Sequence, residues 1–164
     1  MRLVMTPESH ASFFLYAFRI VASRQSRARI LISGAADYCL LAHVLWASGQ
    51  NGLAAEITVA DVCDTPLHLN RWYADRSGVP VETVRADIFD YRPAIPFDLI
   101  CTHSFLGQFD RAGRSRLVGK WRELLLPGGM VVTANRLSET DDQPKSSFKP
   151  EQVQAFRAKV LEKA

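Results

Sequence analysis

Apolar positions fall along the chain in two alternating rhythms. Five short runs, "RILI" (29–32), "ITVA" (57–60), "VETV" (81–84), "FDLIC" (97–101) and "MVVTA" (130–134), are mostly rich in Val and Ile without strict alternation. Such runs fit strands covered on both faces, as in a parallel sheet. Between most of them, apolar residues recur at helical spacing. Residues 36–48 carry Leu40, Leu41, Val44 and Leu45 on one side. Thr65 and Pro66 open the next predicted helix, Thr as its cap and Pro at its first position, with Leu69, Trp72 and Tyr73 as the apolar face. A further helix is predicted over about residues 111–125, on Leu117, Val118, Trp121, Leu124 and Leu125, with "PGG" (127–129) stopping it and turning the chain into the last strand. Between "VETV" and "FDLIC", Pro93 and Pro96 predict a loop or a short helical turn.

Two segments flank this alternation. "ASFFLYAFRIVA" (11–22) is interrupted by Arg19 and is too short to span a bilayer. Phe13, Tyr16, Ala17, Ile20 and Val21 fall at helical spacing there, which predicts an amphipathic helix. Glu8 and His10 ahead of it do not fit a secretory signal. After Ala134, "NRLSETDDQPKSSFK" is polar and turn-rich, and Pro150 opens a last predicted helix with Val153, Phe156, Val160 and Leu161 on one face. Strands alternating with helices imply right-handed crossovers. The predicted fold class is therefore α/β, a three-layer αβα sandwich on a mostly parallel, doubly wound sheet. Residues 1–135 are expected to form its domain, with its N-terminal helix, and residues 136–164 a loop and helix packed on it or on a partner.

Composition narrows the function classes. Charge is only +3, without a basic cluster, so a nucleic-acid surface is not expected. The densest positive stretches, Arg24, Arg27 and Arg29, and Arg111, Arg114 and Arg116, suit solvated faces or phosphate-adjacent loops. Cys39, Cys63 and Cys101 lie far apart among mostly apolar neighbours, which predicts buried, reduced thiols and a cytoplasmic protein. His10, His43, His68 and His103 are scattered and show no metal pattern.

In an open α/β sheet, ligands bind beyond the carboxyl ends of the strands, where strand order reverses. Four such ends carry candidate residues. "SGAAD" (33–37) has small residues that suit either a tight turn or close approach of a ligand to the backbone. Asp61, 27 positions after Gly34, can accept two hydrogen bonds from a ribose diol, or cap a helix. Asp87, followed by Ile88 and Phe89, can accept from an exocyclic amine beside an apolar purine-packing surface, or lie solvated in a loop. "CTHSFLGQF" (101–109) mixes Thr102, His103, Ser104 and Gln108 with Phe105, Leu106 and Phe109. His103 there is either a general base or a structural histidine.

The order "ILISGAAD", "ITVADV", "VRADIFD", "FDLICTHSFL" and "WRELLLPGGMVVTA", over about residues 12–135, resembles the class I S-adenosylmethionine-dependent methyltransferase family. The resemblance implies a Rossmann-like fold, S-adenosyl-L-methionine as cofactor and methyl transfer to an acceptor, by default a small molecule. It implies that Ser33, Gly34 and Ala35 border the methionine part. Asp61 and Val62 would lie at the ribose, Asp87 and Ile88 at the adenine, and Thr102 and His103 at the sulfonium and acceptor, with His103 the first candidate for a catalytic base. The chain also departs from the family. Ile32 stands where the glycine loop usually has an acid, and Ala36 and Tyr38 stand at its later glycines. By the resemblance, Asp37 would be a partial substitute for the acid. The family's terminal antiparallel strand pair is not expected after Ala134, which leaves an edge for a second copy, a partner chain or a covering helix. Two other readings are a methyltransferase-like module that binds without catalysing and a nicotinamide-dependent oxidoreductase. The single loop glycine suits a pyrophosphate poorly.

Overall fold

A computed structural model describes residues 7–135 together with 151, 153 and 154. A 3₁₀ turn (Pro7–His10) leads into α1 (Ala11–Ala22). There follow β1 (Arg27–Ser33), α2 (Cys39–Gln50), β2 (Ala54–Asp61), α3 (Asp64–Ser77), β3 (Val81–Arg85), β4 (Phe97–His103), α4 (Arg111–Leu124) and β5 (Leu125–Ala134). The sheet order is β3-β2-β1-β4-β5 and every described pairing is parallel. The chain winds outward from β1 to β3, then returns to β4 on the other side of β1. Strand order reverses there, which opens a crevice at the strands' carboxyl ends.

The unalternating apolar strands are explained by two cores. Ile30, Ile32, Ile57, Val59, Leu99 and Cys101 pack with α1, α2 and Leu67 of α3 on one face. Leu31, Ala60 and Ile100 pack with Leu117, Trp121 and Leu124 of α4 on the other. The result is a three-layer αβα sandwich. No described helix is long and apolar enough to cross a membrane.

Several helix faces differ from expectation. In α1 the buried stripe is Phe14, Ala17, Phe18 and Val21, while Phe13 and Tyr16 are exposed. Apolar residues run almost all round this helix, so spacing alone selects no unique stripe. In α3 the buried residues are Pro66, Leu67, Asn70 and Ala74, and Leu69 and Trp72 lie outside. A polar residue can occupy that core face because the Asn70 amide donates to the carbonyls of Asp37 (3.1 Å) and Pro66 (2.7 Å). Trp72 instead lies beside Tyr38 and under Arg76. Thr65 does not cap α3. The helix starts at Asp64 with Cys63 as its cap residue, and Pro66 is its third residue. That position still has no intrahelical acceptor for an N–H, so proline costs no bond there.

"PGG" does not stop α4. The helix passes directly into β5 at Leu125, and the three residues form a bulge inside the strand. Phe97 pairs with Leu125 but Leu99 pairs with Met130. Val118 is exposed rather than packed, and Cys63 is exposed rather than buried, although all three thiols are free. Arg27 and Arg29 belong to β1 and pair with Glu56 at 3.2 and 3.6 Å. The polar segment 136–149 and the helix expected from Pro150 lie outside the described residues, apart from 151, 153 and 154, which are helical.

Candidate active site

The end of β1 is tied to its neighbours by backbone geometry. Gly34 turns the chain at a φ of 73°, a conformation that favours glycine. Its N–H donates to the Ala60 carbonyl (3.0 Å), drawing the turn against β2. The next amide, Ala35, donates to Asp61 Oδ2 (2.9 Å), while Asp61 Oδ1 accepts from the Cys63 N–H (2.8 Å). Asp61 therefore braces the first turn and the entry to α3 together. Each carboxylate oxygen has further acceptor capacity for a ligand hydroxyl.

Asp87 shapes the loop after β3. Its Oδ1 accepts from the Phe89 N–H (2.9 Å), and its carbonyl accepts from the amides of Asp90 and Tyr91. This local ring of bonds buries Ile88 and presents Phe89. Phe109 meets Phe89 edge-on at 5.7 Å between ring centroids and Phe105 at 5.2 Å.

These groups enclose one cavity of about 360 Å³. Gly34, Asp61 and Val62 line one side, Asp87, Ile88 and Phe89 another, with Phe105, Gln108 and Phe109 opposite. Asp61 and Asp87 thus line one crevice at the point where strand order reverses. A larger cavity of about 550 Å³, among Arg71, Asp75 and Glu82, involves other parts of β2, α3 and β3 and none of the candidate residues.

Other candidates sit apart from the cavity. Ser33 is fully buried, and its hydroxyl accepts from Trp121 Nε1 at 3.1 Å, which joins β1 to α4. Thr102 is buried, with its hydroxyl unpartnered among the described residues. His103 stands near His10 of the N-terminal turn, with ring centroids 5.4 Å apart. His103 Nδ1 lies 3.3 Å from Ser104 Oγ, and Nε2 is buried without a partner among the described residues. Burial pushes the His103 imidazole below its ordinary range, His10 and His43 push it further, and Asp37 partly opposes them. The ring is accordingly neutral near pH 7. Asp37 precedes Tyr38, the cap residue of α2, and accepts from the N–H of the helix's first residue, Cys39, at 2.7 Å. The Trp121–Ser33 bond and the His10–His103 contact have no local sequence signal. Each joins residues about 90 positions apart.

No protein-family model matches the sequence, and no curated protein matches it by sequence. Solved structures do match. An S-adenosylmethionine-dependent methyltransferase from Clostridium acetobutylicum superposes with a TM-score of 0.59 at 13% identity, over 76% of this chain and 49% of that one. Coclaurine N-methyltransferase bound to N-methylheliamine and S-adenosylhomocysteine gives 0.59 at 18%, over 81% and 38%. NodS, an N-methyltransferase from Bradyrhizobium japonicum in complex with S-adenosyl-l-homocysteine, gives 0.59 at 19%, over 77% and 60%.

The fold is that of the class I S-adenosylmethionine-dependent methyltransferases.

At these identities the likeness concerns the fold. The chain spans between about two-fifths and three-fifths of the length of these methyltransferases. Among the described residues, its version of the fold has five parallel strands and no antiparallel pair.

Proposed function

We propose that this protein uses S-adenosyl-L-methionine to methylate a small-molecule acceptor. The observation that carries the reading is the placement of Asp61 and Asp87 around one cavity at the switch point of a methyltransferase fold. The cavity residues suit a nucleoside. Asp61 would accept from the ribose hydroxyls, and Asp87 from the adenine amine, with Ile88 and Phe89 against the ring. Gly34 and Ala35 would border the chain leading from the ribose, and His103, at the end of β4 beyond the cavity, would lie on the acceptor side, while Thr102 before it is fully buried.

The cofactor supplies a methyl group already activated by a sulfonium. The chain's residues have to orient two reactants and exclude water. Good orientation contributes roughly 7–11 kcal/mol toward the barrier. His103, held toward its neutral form by burial, would take a proton from an acceptor hydroxyl or amine that reaches the end of β4, an effect of about 10²–10⁴-fold. The size of the cavity supports a small ligand. The free thiols support a reducing, cytoplasmic setting.

A second reading, binding without transfer, is favoured by one observation. Ile32, at the position of the usual loop acid, is fully buried. Calorimetry with S-adenosylmethionine and S-adenosylhomocysteine, followed by radiolabelled methyl transfer to a panel of small amines and phenols, separates the two. Binding with transfer supports the enzyme, and binding without transfer to any acceptor supports the module. Absence of heat and of thermal shift with both ligands would remove the cofactor assignment.

A further inference from the structure

We propose that Phe105 is the specificity determinant of the crevice, admitting an adenosine freely but an S-adenosyl amino acid only when its ring turns away from Gly34. The inference rests on the nucleoside assignment just made and extends it to the other half of the ligand.

Sheet order gives the direction. Asp87 follows β3, Asp61 ends β2, and β1 comes next, followed by β4. A nucleoside with its base at Asp87 and its ribose at Asp61 directs its 5′ substituent toward the end of β1, where Gly34 lies. That path is occupied. A Cβ built on Gly34 would run into the Phe105 ring, with Cγ only 2.9 Å away. The ring therefore lies flush on the one backbone position whose missing side chain would let a ligand approach. Phe105 is delivered there by Ser104, a non-glycine residue in the left-handed region at a φ of 55°, directly after β4. Phe109 also meets the ring edge-on, with centroids 5.2 Å apart.

The end of β1 also gives an aminoacyl tail little hold. Ile32 is fully buried, and the Ser33 hydroxyl already accepts from Trp121. The base and ribose end keeps its two carboxylates, while the tail end is covered by an aromatic ring.

The test is calorimetry of the full chain with adenosine and with S-adenosylhomocysteine, on the wild type, Phe105→Ala and Phe105→Leu. The expected wild-type result is that the homocysteine tail adds less than about tenfold to the affinity of adenosine. Phe105→Ala should then strengthen S-adenosylhomocysteine binding by at least about tenfold while adenosine changes by less than about threefold, with Phe105→Leu in between. If Phe105→Ala is poorly folded by its melting curve, Phe105→Leu carries the same comparison. Equal changes for both ligands, or no change for either, would overturn the role of Phe105 and leave the nucleoside assignment standing. Failure of the wild type to bind adenosine and S-adenosylhomocysteine alike would overturn the assignment itself.

Discussion

Asp61 has two tasks, and they can be separated. It holds the Ala35 and Cys63 amides through different oxygens, and it is the proposed ribose acceptor. In Asp61→Asn one oxygen becomes an NH₂ group, so whichever way the amide turns, one backbone N–H loses its acceptor. The expected cost is about 1–3 kcal/mol of stability, read by urea unfolding. Affinity for S-adenosylhomocysteine should fall by roughly 10–100-fold, because a charged acceptor for the hydroxyls becomes a neutral one. Stability loss without affinity loss would leave Asp61 a brace alone. His103 makes a pH-dependent prediction. Its folded pKa is lowered from the ordinary 6.5, mainly by burial and then by His10 and His43. The unfolded chain thus takes up the proton first as pH falls. The stability associated with a neutral His103 is full above about 6.5 and is lost as pH drops through that value toward the lower folded pKa. His103→Gln should flatten this part of the melting temperature against pH between 7 and 5. An unchanged slope would place the acid sensitivity elsewhere.

At the scale of elements, the β5 bulge shows how turn chemistry misled the sequence reading. Pro127, Gly128 and Gly129 were expected to end a helix, yet the helix ends at Leu124 and the three residues take up the slack between Leu125 and Met130. The two glycines are needed for different reasons. Gly128 has a φ of 81° with open space where a Cβ would stand. Gly129 has no such angle, but a Cβ there would meet Leu126 O at 2.9 Å, Leu125 Cδ2 at 3.0 Å and Asp98 O at 3.1 Å. Gly128→Ala should cost about 1–2 kcal/mol for a left-handed residue. Gly129→Ala should cost about 1–3 kcal/mol and toward the upper end, since two of the three obstacles are backbone oxygens. Chemical denaturation of both variants checks the ranking. The central strands β1, β2 and β4 were legible because burial on both faces leaves an apolar run whatever the partners are, whereas the edge strands β3 and β5 are mostly half-buried or exposed and were read from their Val residues. The faces of α1 and α3 were not, because Phe13 and Tyr16 are as apolar as the residues that were buried. Asn70 also enters the core through hydrogen bonds to the Asp37 and Pro66 carbonyls, and the first of these is set by tertiary contact.

For the whole molecule, the order of strand ends was the readable part of the candidate site. A doubly wound chain brings residues 34, 61 and 87 to one edge whatever lies between them, and the shared cavity follows from that topology. What the sequence withheld was which side of β4 each residue faces and which ring lies over Gly34, since both depend on the turn at Ser104. The separation between the proposed nucleoside pocket and His103 with its neighbour His10 leads to a test by ligand linkage. A ligand at 100 times its dissociation constant stabilises the state that binds it by about 2.7 kcal/mol. For a domain of this size that raises the melting temperature by roughly 5–10 °C. Wild-type protein with saturating S-adenosylhomocysteine should show such a rise. The double variant Asp61→Asn with Asp87→Asn should lose most of it, because both ends of the nucleoside lose their anionic acceptor. His103→Ala should keep it, since His103 lies outside the cavity wall and packs instead toward His10. Each variant is scored by its own difference with and without ligand, so a change in its intrinsic stability cancels. A rise that survives loss of both carboxylates would move the binding site out of this crevice. A rise abolished by His103→Ala alone would show that the two regions are one site.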